Sequence, residues 1–240
     1  MVIHVEKVGT NPYDSGDFLR TYSTENCPNQ KKWSEANEAN PRFAAIIGNT
    51  NFTEAIQNLS SVIGRNINFW QAPAYYDNYE CATYMGRNNA IISTFKNETY
   101  TRALCIFIHN PDYVYTVQMY ISLYSDQKQI RATATGFFNE TIQNIKKRIM
   151  NKDEVRWNMY SAHDTTVGNM LAALNLTNPE CIYNAFLAKN DSNTDTCVTQ
   201  YPKYTSNLIF EIWEYNASYH SFKIRYNGQV RKIPFCNWTT

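Results

Sequence analysis

The chain has 240 residues, with 22 basic and 21 acidic side chains and a formal net charge of +1. This balance excludes function classes that rest on long-range attraction to nucleic acid or to an anionic membrane surface. With 43% hydrophobic residues the chain can bury a core, which excludes a wholly disordered protein. No apolar run approaches the roughly 18 residues of a membrane-spanning helix. We therefore expect a globular protein without a membrane span or a nucleic-acid partner.

The amino-terminal part predicts a short strand and then helices. Residues 1–8 alternate like a strand and carry neither the basic start nor the apolar stretch of a secretory signal. Residues 10–30 are rich in Asn, Pro, Gly and Ser and predict a loop. The pattern over residues 31–65 is helical and fits two or three helices. Within residues 52–63, apolar side chains at offsets 0, 3, 4, 7 and 11 form one face of an amphipathic helix.

The middle of the chain continues this helical character. After a Tyr-rich connection at residues 70–77, a helix is predicted to about residue 86. Two further helices are predicted across residues 100–124, separated by a break at Asn110-Pro111. We assign residues 1–10 to a strand of an α/β domain and residues 11–128 to an inserted, mostly helical subdomain.

Residues 129–240 predict the carboxy-terminal part of that α/β domain. Residues 141–149 form a short helix in this prediction, and residues 155–162 form a buried strand. His163 and Asp164 follow the strand directly. The next helix places Val167, Met170, Leu171 and Leu174 on one face. A strand that runs into a helix through a polar dipeptide is typical of an α/β sheet.

A long connection and a hairpin complete the chain. Residues 175–205 contain few apolar side chains and predict a long surface loop, which a pairing of its Cys181 with its Cys197 would staple. Residues 207–214 and 221–226 alternate strongly and predict a β-hairpin, and Asn227-Gly228 turns the chain once more.

The cysteines and asparagines together indicate the secretory pathway. The six cysteines are dispersed without a C-x-x-C pair, which favours disulfides over a zinc or redox motif but leaves their connectivity open. Eight N-x-S/T glycosylation acceptors span the chain: Asn51, Asn58, Asn97, Asn139, Asn175, Asn190, Asn216 and Asn237. We expect a secreted or lysosomal glycoprotein. Because no signal peptide is present, we expect the natural amino terminus to lie upstream.

Among the four histidines, His163 stands apart. His4 lies in the strand-like start, His109 at the predicted helix break, and His220 in the predicted hairpin turn, so each is interpreted as structural or exposed. His163 instead opens a helix whose first turn, with Thr165, offers hydroxyl and backbone N–H groups to an anion.

The octapeptide YSAHDTTV at residues 160–167 resembles the His-Asp motif of the histidine acid phosphatases, which include the prostatic and lysosomal acid phosphatases. Weaker similarity runs through most of the chain, at Asn26-Cys27-Pro28, at Trp70, Tyr76-Asp77 and Cys81, and at residues 208–214, 226–228 and 233–236. The resemblance implies a central sheet with flanking helices and an inserted helical subdomain.

It also implies a reaction. In the family a histidine attacks the phosphorus of a phosphate monoester to form a phosphohistidine, and an aspartic acid protonates the leaving alcohol. By position His163 is the histidine that clamps the phosphate oxygens and Asp164 is the general acid. Thr165 is a predicted phosphate contact, and Trp70 is a predicted wall of the substrate pocket, although a buried core position suits Trp70 nearly as well.

One departure from the family pattern limits this prediction. The nucleophile of the family lies in R-H-G-x-R-x-P, and no histidine here is preceded by arginine. Ile130-Arg131-Ala132-Thr133 only superficially resembles the family's second arginine motif, so we interpret Arg131 as an ordinary residue. We therefore expect a segment of a longer protein that lacks the nucleophile strand and is poorly stable and inactive alone.

Alternative functions stay open. One is a catalytically inactive secreted paralogue that keeps the anion site at His163 for phosphate recognition, and a remoter one is an unrelated Asn-rich secreted domain. The expected partner is a small phosphomonoester, and scattered lysines and arginines argue against a highly phosphorylated one. No metal or organic cofactor is implied. A homo-oligomer is neither predicted nor excluded.

Overall fold

The structure, a computed structural model, describes residues 27–48, 50–68, 71–72, 75, 125–151, 156–188, 194–216 and 219–234. Its helices are α1 (Asn29–Glu38), α2 (Pro41–Ile47), α3 (Thr50–Ile63), α4 (Gln127–Asn151), α5 (Asp164–Ala173) and α6 (Pro179–Ala188). Its strands are β1 (Leu208–Asn216), β2 (Tyr219–Tyr226) and β3 (Gln229–Arg231). The predicted strand at residues 1–8 and the helices predicted across residues 77–124 lie outside the described residues.

Three helices occupy the region where two or three were predicted. Asn40 caps α2, because its Oδ1 accepts a hydrogen bond from the Arg42 N–H at 2.9 Å, and proline suits the first helical position that follows. Gly64 ends α3 with a φ of 74°, a conformation that favours glycine. On the apolar face predicted for α3, Leu59 is fully buried, and Phe43 of α2 is buried as well.

Helix α4 is much longer than predicted. The sequence pattern indicated a helix at residues 141–149, but the structure has 25 helical residues. Ile130, Ala134 and Phe137 are all buried and lie on one face at helical spacing. Glycine and threonines along the first half lower its intrinsic helix propensity, and packing of this face against α5 outweighs that preference.

The described strands form an antiparallel sheet in the order β1-β2-β3. The predicted hairpin is confirmed, with Leu208 opposite Tyr226 and Glu214 opposite His220. His220 therefore lies in β2, not in the turn, because the strand pairing continues to Asn216. The predicted Asn227-Gly228 turn joins β2 to β3, and the φ angles of 49° and 79° suit these two residue types.

One face of this sheet packs on α5 to form the core. Leu171, Leu174, Val198, Ile224 and Tyr226 are buried together there. On its other side α5 meets α4, with Met170 packed against Ala134 and Phe137. Helix α5 is thus held between the hairpin and α4.

The buried strand predicted at residues 155–162 is not observed. Residues 156–162 have no regular secondary structure and pair with no described strand. Trp157 is 70% exposed and Met159 is 79% exposed. A segment becomes a strand only where a neighbour satisfies its backbone N–H and C=O groups, and the described strands pair with one another instead.

The long surface loop predicted at residues 175–205 is also wrong in large part. It contains α6, and Leu176, Ile182 and Val198 are fully buried. The few apolar residues of this segment are enough to bury part of it against α5. The chain folds back there, and the Val198 N–H donates a hydrogen bond to the Leu176 C=O. A disulfide between Cys181 and Cys197 closes the segment, with a Cα–Cα distance of 6.1 Å.

The predicted boundary between residues 128 and 129 falls within a hydrogen-bonded contact. Gln129, fully buried near the start of α4, donates to Gln30 Oε1 at 3.1 Å. Asn37 of α1 donates to Gln129 Oε1 at 3.0 Å. The division into domains stays a prediction, but α4 and α1 pack together across it.

Candidate functional site

The candidate site lies where α5 begins. His163 precedes the helix with an extended backbone, φ −87° and ψ 162°, and its carbonyl oxygen accepts hydrogen bonds from the N–H groups of Thr166 and Val167. Asp164 is the first helical residue, and its Oδ1 accepts a hydrogen bond from the Thr165 N–H at 2.6 Å. Three neighbouring predicted site residues, His163, Asp164 and Thr165, are thus brought together at one helix start.

The chemistry available at this point follows from exposure and charge. The His163 and Asp164 side chains are exposed, and neither forms an ion pair within the described part of the chain. The amino-terminal end of a helix carries a partial positive charge that favours anions and the first-turn carboxylate of Asp164. An imidazole, a carboxyl group and a helix start together can bind an anion and exchange a proton with it.

Burial of the helix behind the site fixes its position. Thr166 is 3% exposed, Met170 is 2% exposed and Leu171 is fully buried. At the carboxyl end of α5, Asn175 adopts a left-handed φ of 54°. The N–H of Leu176 donates a hydrogen bond to the Leu171 carbonyl oxygen at 2.9 Å. This pattern is a Schellman ending, so both ends of α5 are defined.

Tyr160 connects the approach to the site with α4. Its hydroxyl oxygen accepts a hydrogen bond from Asn144 Nδ2 at 3.0 Å. Its ring meets the edge of Phe137 with centroids 5.5 Å apart. Although the segment before His163 is not a strand, this anchor holds its carboxyl end against the core.

The other predicted residues lie elsewhere. Trp70 is outside the described residues, so its role as a pocket wall stays a prediction. Arg131 is exposed on α4, and neither an ion pair nor a hydrogen bond of its side chain occurs among the described residues. Four glycosylation acceptors have exposed side chains, namely Asn58, Asn139, Asn175 and Asn216.

Sequence reasoning overlooked Asn169. This residue lies one turn after Thr165, is fully buried, and has no described partner for either atom of its side-chain amide. Leaving a buried amide unpaired is costly. Asn169 is thus an unpaired buried amide, among the described residues, on the same helix that presents His163. A polar residue directly before the buried pair Met170 and Leu171 was the available signal.

A cavity of about 220 Å³ lies between α1, the start of α2 and α6. Asn37, Arg42, Asp126, Pro179 and Tyr183 are among its lining residues. Arg42 closes it by an ion pair with Glu180 and by stacking over the Tyr183 ring at 5.1 Å. None of its described lining residues belongs to α5 or to the segment before it, so this cavity is separate from the His163 site.

The described residues contain no group of three or more His, Cys, Asp or Glu that could hold a metal ion. Among the helices that the structure describes, none combines the length and the apolar character needed to cross a membrane.

Comparison with known proteins gives one match to a family and two to curated relatives. The family profile described as Histidine phosphatase superfamily (branch 2) matches residues 7–227. The chain is 29% identical over 97 residues to human 2-phosphoxylose phosphatase 1, which is 40% of this chain and 16% of that protein. The rat protein of the same name is 26% identical over the same shares. The chain therefore matches only about a sixth of the length of these relatives.

Proposed function

The chain belongs to branch 2 of the histidine phosphatase superfamily, and we propose that it carries part of the active site of an acid phosphatase. Its substrates are small phosphate monoesters, hydrolysed through a phosphohistidine intermediate. The observation that carries the proposal is the position of His163 and Asp164, exposed together at the start of the buried helix α5.

In this reaction His163 clamps the phosphate. Its imidazole and the Thr165 hydroxyl provide hydrogen bonds to the equatorial oxygens, which carry negative charge during transfer. The partial positive charge of the helix start acts in the same direction. This role needs His163 exposed, as it is.

Asp164 serves as the general acid. Its Oδ1 is engaged by the Thr165 N–H, which orients the carboxyl group, and Oδ2 can then give a proton to the departing alcohol oxygen. The same carboxylate later takes a proton from the water that cleaves the phosphohistidine. Trp70 and Thr165 complete the proposed substrate contacts.

The step that this sequence does not supply is nucleophilic attack. It contains no R-H-G-x-R-x-P motif, so no residue is assigned as the histidine that becomes phosphorylated. Since the clamp and the acid cannot act without it, the 240-residue chain alone is proposed to be inactive.

A single comparison, wild type against His163→Ala, tests these roles. We expect neither chain to hydrolyse para-nitrophenyl phosphate at acidic pH. We expect inorganic phosphate to bind the wild type, detected by phosphorus NMR, and to bind the variant more weakly. Lys128→Ala, an exposed cation on α4, is the matched control and should bind like the wild type.

Two results would contradict the proposal. Turnover by the wild type that His163→Ala abolishes shows that the chain is active alone. Equal phosphate binding by the wild type, His163→Ala and Lys128→Ala would show that His163 does not hold the phosphate. Because the relatives are named for a phosphorylated sugar, a sugar phosphate belongs among the ligands tested.

The absence of the nucleophile motif favours a second candidate, an inactive secreted paralogue that binds phosphate without hydrolysing it. Sequencing the natural transcript upstream of the Met1 codon separates the two. An in-frame R-H-G-x-R-x-P motif with a signal peptide supports the enzyme, whereas a stop codon just upstream supports the binding protein.

We also propose a secretory location, secreted or lysosomal. Its support is the disulfide between Cys181 and Cys197, which persists in oxidising compartments, and the exposure of the four described acceptor asparagines. The eight acceptors of the sequence remain proposed glycosylation sites.

A further inference from the structure

Two of the glycosylation acceptors contain a threonine whose hydroxyl has no hydrogen-bond partner among the described residues. In the acceptor at Asn139 this is Thr141, whose buried Oγ1 has no hydrogen-bond partner among the described residues. Two other threonines of α4 behave differently. Thr133 Oγ1 donates to the Gln129 carbonyl at 2.9 Å, and Thr135 Oγ1 donates to the Arg131 carbonyl at 2.5 Å. A threonine hydroxyl can therefore donate a hydrogen bond to the backbone of this helix, but no such bond is described for Thr141.

The acceptor at Asn175 repeats the feature in another setting. Thr177 is 1% exposed and its Oγ1 also has no partner among the residues the structure describes. Asn175 itself is exposed at the end of α5. Its Oδ1 accepts a hydrogen bond from Asn178 at 3.1 Å, whereas no described residue engages its Nδ2, the atom that would carry a glycan.

The acceptor at Asn58 provides the contrast. Its third residue, Ser60, accepts a hydrogen bond from the Ile67 N–H at 2.9 Å and lies 3.4 Å from the Ile67 carbonyl as donor. This hydroxyl holds the chain that follows α3, so the folded structure explains Ser60 without any modification.

Folded-state stability does not explain Thr141 and Thr177. Valine has the same shape as threonine but no hydroxyl, and burying a hydroxyl without a partner is unfavourable. The acceptor motif requires the hydroxyl in an accessible, unfolded chain. Both asparagines then remain exposed after folding, which leaves room for a glycan at each.

We propose that Asn139 and Asn175 are N-glycosylated before the chain folds, and that Thr141 and Thr177 serve that recognition alone. The asparagine Nδ2 forms a bond to the anomeric carbon of a lipid-linked oligosaccharide. The bond from that carbon to the lipid diphosphate breaks, the diphosphate leaves, and the amide loses one proton to a base. This inference rests on the proposed secretory location and not on phosphatase activity.

The first measurement is glycan occupancy. The 240-residue chain is directed into the secretory pathway of cultured cells by an appended signal peptide, and its mobility is compared before and after glycosidase treatment. We expect Thr141→Val and Thr177→Val each to lose one glycan, as Asn139→Gln and Asn175→Gln do. Because transfer precedes folding, occupancy can be measured even if a variant folds poorly. Peptide mapping that finds either asparagine unmodified in the wild type overturns the proposal for that site.

The second measurement separates recognition from structure. In the chain made without glycans, thermal unfolding followed by circular dichroism should show an unchanged or higher Tm for Thr141→Val and Thr177→Val. Ser60→Ala should lower the Tm by about 2–4 °C, because it leaves the Ile67 N–H without its partner. A lower Tm for either threonine variant reveals a structural role and overturns the proposal. Neither glycan occupancy nor the Tm depends on hydrolysis. Both tests are therefore independent of whether the protein is a phosphatase.

Discussion

Glu211 and Arg225 form the best-defined ion pair on the outer face of the hairpin. Arg225 Nε donates to Glu211 Oε1 at 2.8 Å, and Trp213 Nε1 donates to Oε2 at 3.3 Å. The hydrogen bond from Arg225 lowers the pKa of Glu211 below its usual 4.5, and the Trp213 bond adds to this effect while partial burial opposes it. The charged carboxylate therefore stabilises the hairpin.

The lowered pKa predicts how stability depends on pH. This contribution is complete above the unfolded-state value near 4.5 and is lost as the pH falls through the lower folded-state pKa. We expect Glu211→Gln to lower the Tm at neutral pH, and the difference from the wild type to shrink progressively below pH 4.5. Thermal melts across this range measure it.

Glu214 offers a matched control in the same strand. It is exposed and forms no ion pair among the described residues, so Glu214→Gln should differ little from the wild type at any pH. A Tm difference for Glu211→Gln that is constant across the pH range would contradict the ion-pair interpretation.

At the scale of elements, the disulfide between Cys181 and Cys197 attaches α6 to the segment that runs toward the sheet. It spans 16 residues. Closing a loop of this length stabilises the fold by about 3 kcal/mol, through the entropy of the unfolded chain. The double variant Cys181→Ser with Cys197→Ser should therefore unfold at a clearly lower guanidinium concentration than the wild type.

Cys27 supplies the control for that experiment, since it is free in the structure. Cys27→Ser should leave the unfolding midpoint nearly unchanged under the same oxidising conditions. Equal midpoints for the wild type and the double variant would mean that this disulfide adds nothing to stability.

At the scale of the whole molecule, three hydrogen-bonded side-chain amides connect α1 to α4 across the predicted domain boundary. Gln129, fully buried, donates to Gln30 and accepts from Asn37. Every member is buried or half-buried, so loss of the central one removes one hydrogen bond from Gln30 and one from Asn37.

Gln129→Leu tests this connection. Because Gln30 and Asn37 each lose a partner, we expect a destabilisation of about 1–3 kcal/mol, measured by denaturant unfolding. Gln127→Leu, exposed at the start of the same helix, is the control and should stay within about 0.5 kcal/mol of the wild type. If Gln129→Leu is as stable as Gln127→Leu, the three hydrogen-bonded amides do not hold α1 and α4 together.

The sequence by itself determined the local features of this protein. Helix α5 and the hairpin follow from apolar periodicity and turn residues, because their own residues suffice to specify them. The octapeptide at residues 160–167 also pointed to the histidine phosphatases, and the family match over residues 7–227 shows that superfamily. The roles of His163 and Asp164 stay predictions.

Only the tertiary structure decided features that depend on distant partners. Helix α4 extends over 25 residues because α5 covers its apolar face. Helix α6 forms where a loop was predicted because Ile182 is buried in the folded chain. Residues 156–162 have strand-like composition but no described strand beside them. Likewise, only the fold shows that the hydroxyls of Thr141 and Thr177 have no partner in the described part of the chain, while that of Ser60 is bonded. Periodicity reports what one segment prefers, whereas hydrogen-bond pairing and burial are decided between segments.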